Sequence, residues 1–140
     1  PGIYNLIVDP GSNLAPVTLL NNHAAMIGPK ITFISQTAPL YVFVPAGVKS
    51  FKVTLQSPAP AETARLTILD PEGKEVASAA TTEKEQCPLE VTVPAGQDNK
   101  PWCLQISKAA TGVMEDYTLT LSENIPPYWS QAPDRLLTPK

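Results

Sequence analysis

Pro39-Leu-Tyr-Val-Phe-Val-Pro-Ala-Gly47 returns, 49 positions on, as Pro88-Leu-Glu-Val-Thr-Val-Pro-Ala-Gly96. Seven of the nine positions match, and the two that differ, Tyr41/Glu90 and Phe43/Thr92, are alternate ones. Successive side chains of a strand point to opposite faces, so residues two apart share a face. The shared Leu and Val residues therefore mark one buried face in both copies, and the chain reads as a β-sandwich.

The likeness runs beyond the identical block. Phe51, Val53 and Leu55 correspond to Trp102, Leu104 and Ile106, with a loop two residues longer in the second copy. Each unit reads strand, Pro-Ala-Gly turn, strand. The pair predicts two hairpin-like elements in equivalent places about a pseudo-symmetric sandwich.

Further strand candidates are short apolar runs divided by turn chemistry, the pattern of an all-β sandwich. They are Ile3–Val8, closed by Asp9-Pro10-Gly11, a weaker Pro16–Leu20, and Ile31–Ser35. Ala64–Leu69 and Lys74–Ala79 flank Asp70-Pro71-Glu72-Gly73, which puts proline and glycine where a type I or II turn favours them. Asp116–Ser122 completes the set. The tail, Ile125–Lys140, holds four prolines and at most one helical turn near Asp134–Leu137. The expectation is eight or nine strands over residues 1–124, then an extended proline-rich tail over 125–140 that packs on the sandwich or links to a neighbour.

With 140 residues and 43% hydrophobic content, the chain suits one domain with one core. Sixteen prolines lie dispersed between the apolar runs, as strand-end punctuation rather than a disordered tract. A net charge of −3 offers no attraction to nucleic acid, and no apolar run approaches the roughly 20 residues of a membrane span. The opening Pro1-Gly2, without Met, reads as a processed or excised piece of a longer protein. Cys87 shares parity with buried Leu89 and Val91, whereas Cys103 alternates with Trp102 and Leu104. In a simple hairpin their sulfurs face opposite sides; Cys87 precedes Pro88, however, and the pairing stays open. Their spacing excludes a CxxC redox or metal site.

Once these segments are lined up, the chain resembles the bacterial pre-peptidase C-terminal domain. Tyr41-Val-Phe-Val-Pro-Ala-Gly47 followed by Phe51-Lys-Val-Thr-Leu55 is similar to that family's opening strands. Ala64–Gly73 is similar to its strand ending in a D-P-x-G turn. Val91–Gly96 with Trp102–Ile106, and Tyr117–Leu121, resemble its closing strands. The likeness covers about residues 37–122. It implies a jelly-roll-like antiparallel sandwich serving as a non-catalytic accessory module, secreted or on the cell surface, attached to a larger hydrolase or adhesive protein. Where the family often carries acidic residues, Gln36-Thr37-Ala38-Pro39 stands here.

Chemistry-bearing clusters are sparse. His23 is the one histidine and has no G-x-S-x-G elbow beside it. Asp70, Glu72, Asp98, Glu115 and Asp116 lie at turns or strand ends, where solvation accounts for them, and no loop has the dense Asp-x-Asp pattern of a calcium site. No catalytic residue, metal or cofactor is assigned. Trp102 and Tyr117 share parity with core Leu and Ile. Tyr41 and Phe43 instead occupy the face that Glu90 and Thr92 show can be wet. Two aromatics there need a cover, for which Tyr128 and Trp129 of the tail are candidates, or they form an exposed patch that binds something. The candidate ligand-binding set is therefore Tyr41, Phe43, Tyr128 and Trp129, and the candidate partners are carbohydrate, cell-surface material or a neighbouring domain.

Overall fold

A computed structural model describes residues 4–13, 15–18, 20 and 25–138. Ten strands follow in order: β1 (Met26–Ile27), β2 (Lys30–Ile34), β3 (Leu40–Val44), β4 (Ser50–Gln56), β5 (Ala64–Leu69), β6 (Glu75–Ala80), β7 (Gln86–Thr92), β8 (Lys100–Lys108), β9 (Asp116–Leu121) and β10 (Tyr128–Trp129). A 3₁₀ turn at Pro133–Arg135 is the one helical element among the described residues.

Eight strands build the sandwich, in two antiparallel sheets ordered β2-β9-β4-β7 and β3-β8-β5-β6. That interleaving is the jelly-roll order. The inward faces meet in one apolar interior that contains Leu40, Val42, Val53, Leu66, Trp102, Leu104 and Leu119, all fully buried. The shared Leu and Val positions of the repeat point into it, as their parity requires.

The two Pro-Ala-Gly segments are arches rather than hairpins. β3 and β4 lie in different sheets, and so do β7 and β8. Each turn therefore carries the chain across the interior to the facing sheet. Each is closed by the same bond: Val48 donates to the Pro45 carbonyl and Gln97 to the Pro94 carbonyl. Gly47 and Gly96 take φ of +83° and +79°, the positive φ that a type II turn demands at its third residue.

Strand registers make the equivalence quantitative. In β3·β8, Leu40 faces Leu104, Val42 faces Trp102 and Tyr41 faces Cys103. In β4·β7, Leu89 faces Val53, Val91 faces Phe51 and Glu90 faces Lys52. Four of the five β3·β8 pairs map onto β4·β7 pairs when β3 is carried to β7 and β8 to β4. The same operation carries β5 to β9 and β6 to β2, exchanging the sheets. This is a pseudo-two-fold axis through the sandwich, and the equivalent residues Phe51 and Trp102 meet on it. Their rings pack edge to face, with centroids 5.3 Å apart and planes at 87°.

Both arches lie at one end and are tied together. The Gly47 N–H donates to Asp98 Oδ2 at 2.7 Å, the Val93 N–H to the Lys49 carbonyl at 2.8 Å, and the Trp102 indole to the Gln97 carbonyl at 2.9 Å. The longer second loop supplies Asp98. Its carboxyl is held below the usual carboxylate value of 3.8, first by the Gly47 N–H and then by Lys49 and Lys100. A depressed pKa contributes stability that is present above the ordinary value and lost as pH falls through the folded one. Urea unfolding should therefore show wild type more stable than Asp98→Asn at roughly pH 6, with the gap closing at roughly pH 3. A gap that does not change with pH would remove the charge from this tie.

Two expectations fail ahead of the sandwich. Residues 4–8 and the described part of 16–20 form no strand. Their apolar side chains are left in solvent: Tyr4 and Ile7 are each 88% exposed. Strand composition without an edge to pair with does not make a strand.

The tail instead completes the fold. β10 pairs with β1, placing Met26 opposite Trp129, and Ser130 exchanges two backbone hydrogen bonds with Tyr41 on the free edge of β3. Ile125 and Trp129 join the interior cluster. The Trp129 indole N–H donates to the Gly28 carbonyl at 2.7 Å. Residues 125–130 are thus part of the sandwich.

Candidate functional site

The outward face of β3-β8-β5-β6 carries the site. Parity puts Tyr41, Cys103 and Leu69 on this face, and the registers place them side by side across three strands. Its pseudo-symmetric counterpart on the other sheet carries Glu90 and Lys52 in the slots of Tyr41 and Cys103. One pair suits water and the other suits cover. The cover is the tail, whose Pro133 stands over the face.

A cleft of about 540 Å³ remains between the tail and the Asp70 turn. Tyr41, Cys103 and Leu69 line it along the sheet, Pro71, Pro101 and Pro133 supply apolar walls, and Lys100 and Gln105 supply polar groups. The turn forming one wall is rigid. Asp70 Oδ1 accepts from the backbone N–H groups of Glu72 and Lys74, each at 2.9 Å, and Gln97 of the second arch donates to Glu72 at 2.7 Å. The tyrosine hydroxyl and the thiol contact each other. Burial, then Cys103, pushes the Tyr41 hydroxyl up, and burial pushes the Cys103 thiol up. Both stay protonated and neutral at ordinary pH, so the floor of the cleft is uncharged. A smaller cleft of about 220 Å³ on the opposite face lies among Lys30, Gln56, Glu85 and Asp116. Pro58 and Tyr117 complete that lining, which carries a single proline where the Tyr41 cleft has three.

The four expected ligand-binding residues are divided by this geometry. Tyr41 is half-buried and lines the cleft. Phe43 is 8% exposed and Trp129 is fully buried, so neither ring presents surface to a ligand. Tyr128 is half-buried in β10, opposite Ile27. Trp129 faces inward because β10 alternates, so the tail plugs the sandwich with one ring instead of stacking two on its surface.

Compared with known proteins, the chain matches no protein-family model and no curated protein.

The remaining candidates are placed apart. His23 lies outside the described residues. Among the described residues, no three His, Cys, Asp or Glu side chains gather as a metal set. Asp70 and Asp98 are engaged by backbone at the arch end, whereas Asp116 opens β9. The cysteines are free and belong to different sheets, with Cys87 donating to the Ala80 carbonyl at 3.3 Å. Tyr117 stacks on Phe33 inside the sandwich, and its hydroxyl has no hydrogen-bond partner among the described residues. Burial pushes that hydroxyl up to about 12.

Gln105 and Leu69 were not singled out by the sequence, and Cys103 only as a candidate disulfide partner. Parity alone turns Cys103 and Gln105 outward, but their place beside Tyr41 depends on β3 pairing with β8, some sixty residues away in the chain. The arch topology decides that pairing.

Proposed function

We propose that this chain is a non-catalytic accessory module of a larger secreted or cell-surface bacterial protein, and that it binds carbohydrate in the Tyr41 cleft. The cleft carries the reading. It combines an aromatic edge and proline walls, which suit the apolar face of a sugar ring, with the Gln105 amide and Lys100 ammonium, which suit hydroxyls. The wall formed by the Asp70 turn is fixed by its backbone bonds and by Gln97, so binding needs little ordering on that side. The resemblance of residues 37–122 to the pre-peptidase C-terminal domain agrees with an accessory role.

A structural role as a spacer or stabilising domain beside a hydrolase is the second reading. Tyr4, Leu6 and Ile7, exposed by 88%, 68% and 88%, favour it, because apolar side chains clustered along the chain in solvent call for a neighbouring surface.

Titration of the labelled protein with a panel of soluble oligosaccharides, followed by amide NMR shifts, separates the two. Carbohydrate binding predicts shifts at Tyr41, Cys103 and Gln105. Gln105→Ala, at an exposed position, should weaken them about tenfold without altering the fold. Silence at these amides across the panel leaves the spacer reading in place.

A further inference from the structure

The tail consists of two unlike halves. Through Ser130 it is locked: Ile125 and Trp129 belong to the interior cluster, and Ser130 is laddered to Tyr41. Beyond Ser130 the attachment changes. Gln131, Pro133, Asp134, Arg135 and Thr138 are exposed. Among the described residues the hydrogen bonds found there are local, Ala132 N–H to Ser130 Oγ and Arg135 N–H to the Ala132 carbonyl. One side chain, Leu136, is buried, and it lies outside the interior cluster. Phe43 and Cys103 are likewise buried without belonging to that cluster; both take outward positions by parity, and Cys103 lines the cleft with Pro133. The cleft of about 540 Å³ runs beside it, with Pro133 on its wall.

We infer that residues 131–138 form a strap that opens about Ser130 as a unit, anchored by Leu136, while the sandwich beneath stays folded. Segments with few buried apolar contacts and local hydrogen bonds open well below the global unfolding free energy. Opening extends the cleft along β3 and β8 and presents Tyr41, Phe43 and Cys103 as one continuous surface. The closed strap limits what reaches the face; the open one offers the apolar surface a partner needs. This device is independent of what the cleft binds.

Cys103 is the reporter. With Cys87→Ala removing the other thiol, Cys103 is labelled by an excess of a disulfide reagent over a series of urea concentrations below the unfolding transition. Strap opening predicts labelling slower than a free thiol, faster than global unfolding permits, and nearly independent of urea, since little surface is exposed. Leu136→Ala should accelerate it about tenfold or more while moving the global urea midpoint far less than that factor implies. Labelling that follows global unfolding with its full urea dependence overturns the strap. So does labelling at the free-thiol rate in the parent chain, or a Leu136→Ala effect equal to its loss of global stability. If Cys87→Ala does not fold, Cys87→Ser carries the same measurement.

Discussion

Trp129→Ala is expected to lower the unfolding free energy by about 3–5 kcal/mol, measured by urea denaturation followed by far-UV circular dichroism. Marginal stability of about 5–15 kcal/mol makes that a large share of the whole. The ring is fully buried, yet it follows the last sandwich strand by eight residues. It fills the side of the sandwich where β2 and β3 are edge strands and where the Tyr41–Ser130 bridge seals β3. Truncation leaves a cavity between the sheets and strips the Gly28 carbonyl of its donor. Trp129→Phe keeps most of the volume and loses the hydrogen bond, so it should cost less, about 1–3 kcal/mol. A loss below about 1 kcal/mol for Trp129→Ala would mean that the tail merely lies on the surface.

The plug explains why Tyr41 and Phe43 stand where their repeat partners are Glu90 and Thr92. Equivalent slots on the two outward faces were given opposite chemistry because the tail crosses one of them. The same crossing bounds a cleft over Tyr41 with Pro133, and Tyr41 stays half-exposed. Comparing the two copies of the repeat exposes this asymmetry, which one copy alone would not.

Much of the sandwich was legible because period-2 burial is a local property. The parity of Leu40, Val42, Leu89, Val91, Trp102 and Leu104 follows from the pleat whatever the topology. What Pro-Ala-Gly joins was not legible. A type II turn reverses the chain equally well within a sheet or between sheets, and the choice rests on pairing partners far away in sequence. Residues 4–8 show the converse, with apolar composition and turn chemistry but no partner strand. β1 and β10, each two residues long, carry no periodicity to detect. Pairing with β1, the buried Ile125 and Trp129 and the Tyr41–Ser130 bridge hold β10 in place, and those are tertiary contacts. The site shared this fate: Tyr41 stood out against its repeat partner, whereas Cys103, Gln105 and Pro133 reach it only through the β3·β8 pairing and the path of the tail.

The pseudo-two-fold axis leads to the second large effect. Trp102→Ala and Phe51→Ala should each cost about 3–5 kcal/mol, because both rings are buried in the interior. The tryptophan also loses its bond to the Gln97 carbonyl, loosening the second arch. An axis relating two halves brings equivalent residues together only where it passes between them. Phe51 and Trp102 satisfy that condition, edge to face at 5.3 Å, so each half of the fold is joined to its counterpart through this pair. The double variant should therefore cost less than the two single losses combined, by about 0.5–1.5 kcal/mol, the coupling of an aromatic pair. Urea midpoints and slopes for the four members of the cycle measure it. Should the losses add to within about 0.3–0.5 kcal/mol, the rings are energetically independent and the two halves are held together elsewhere.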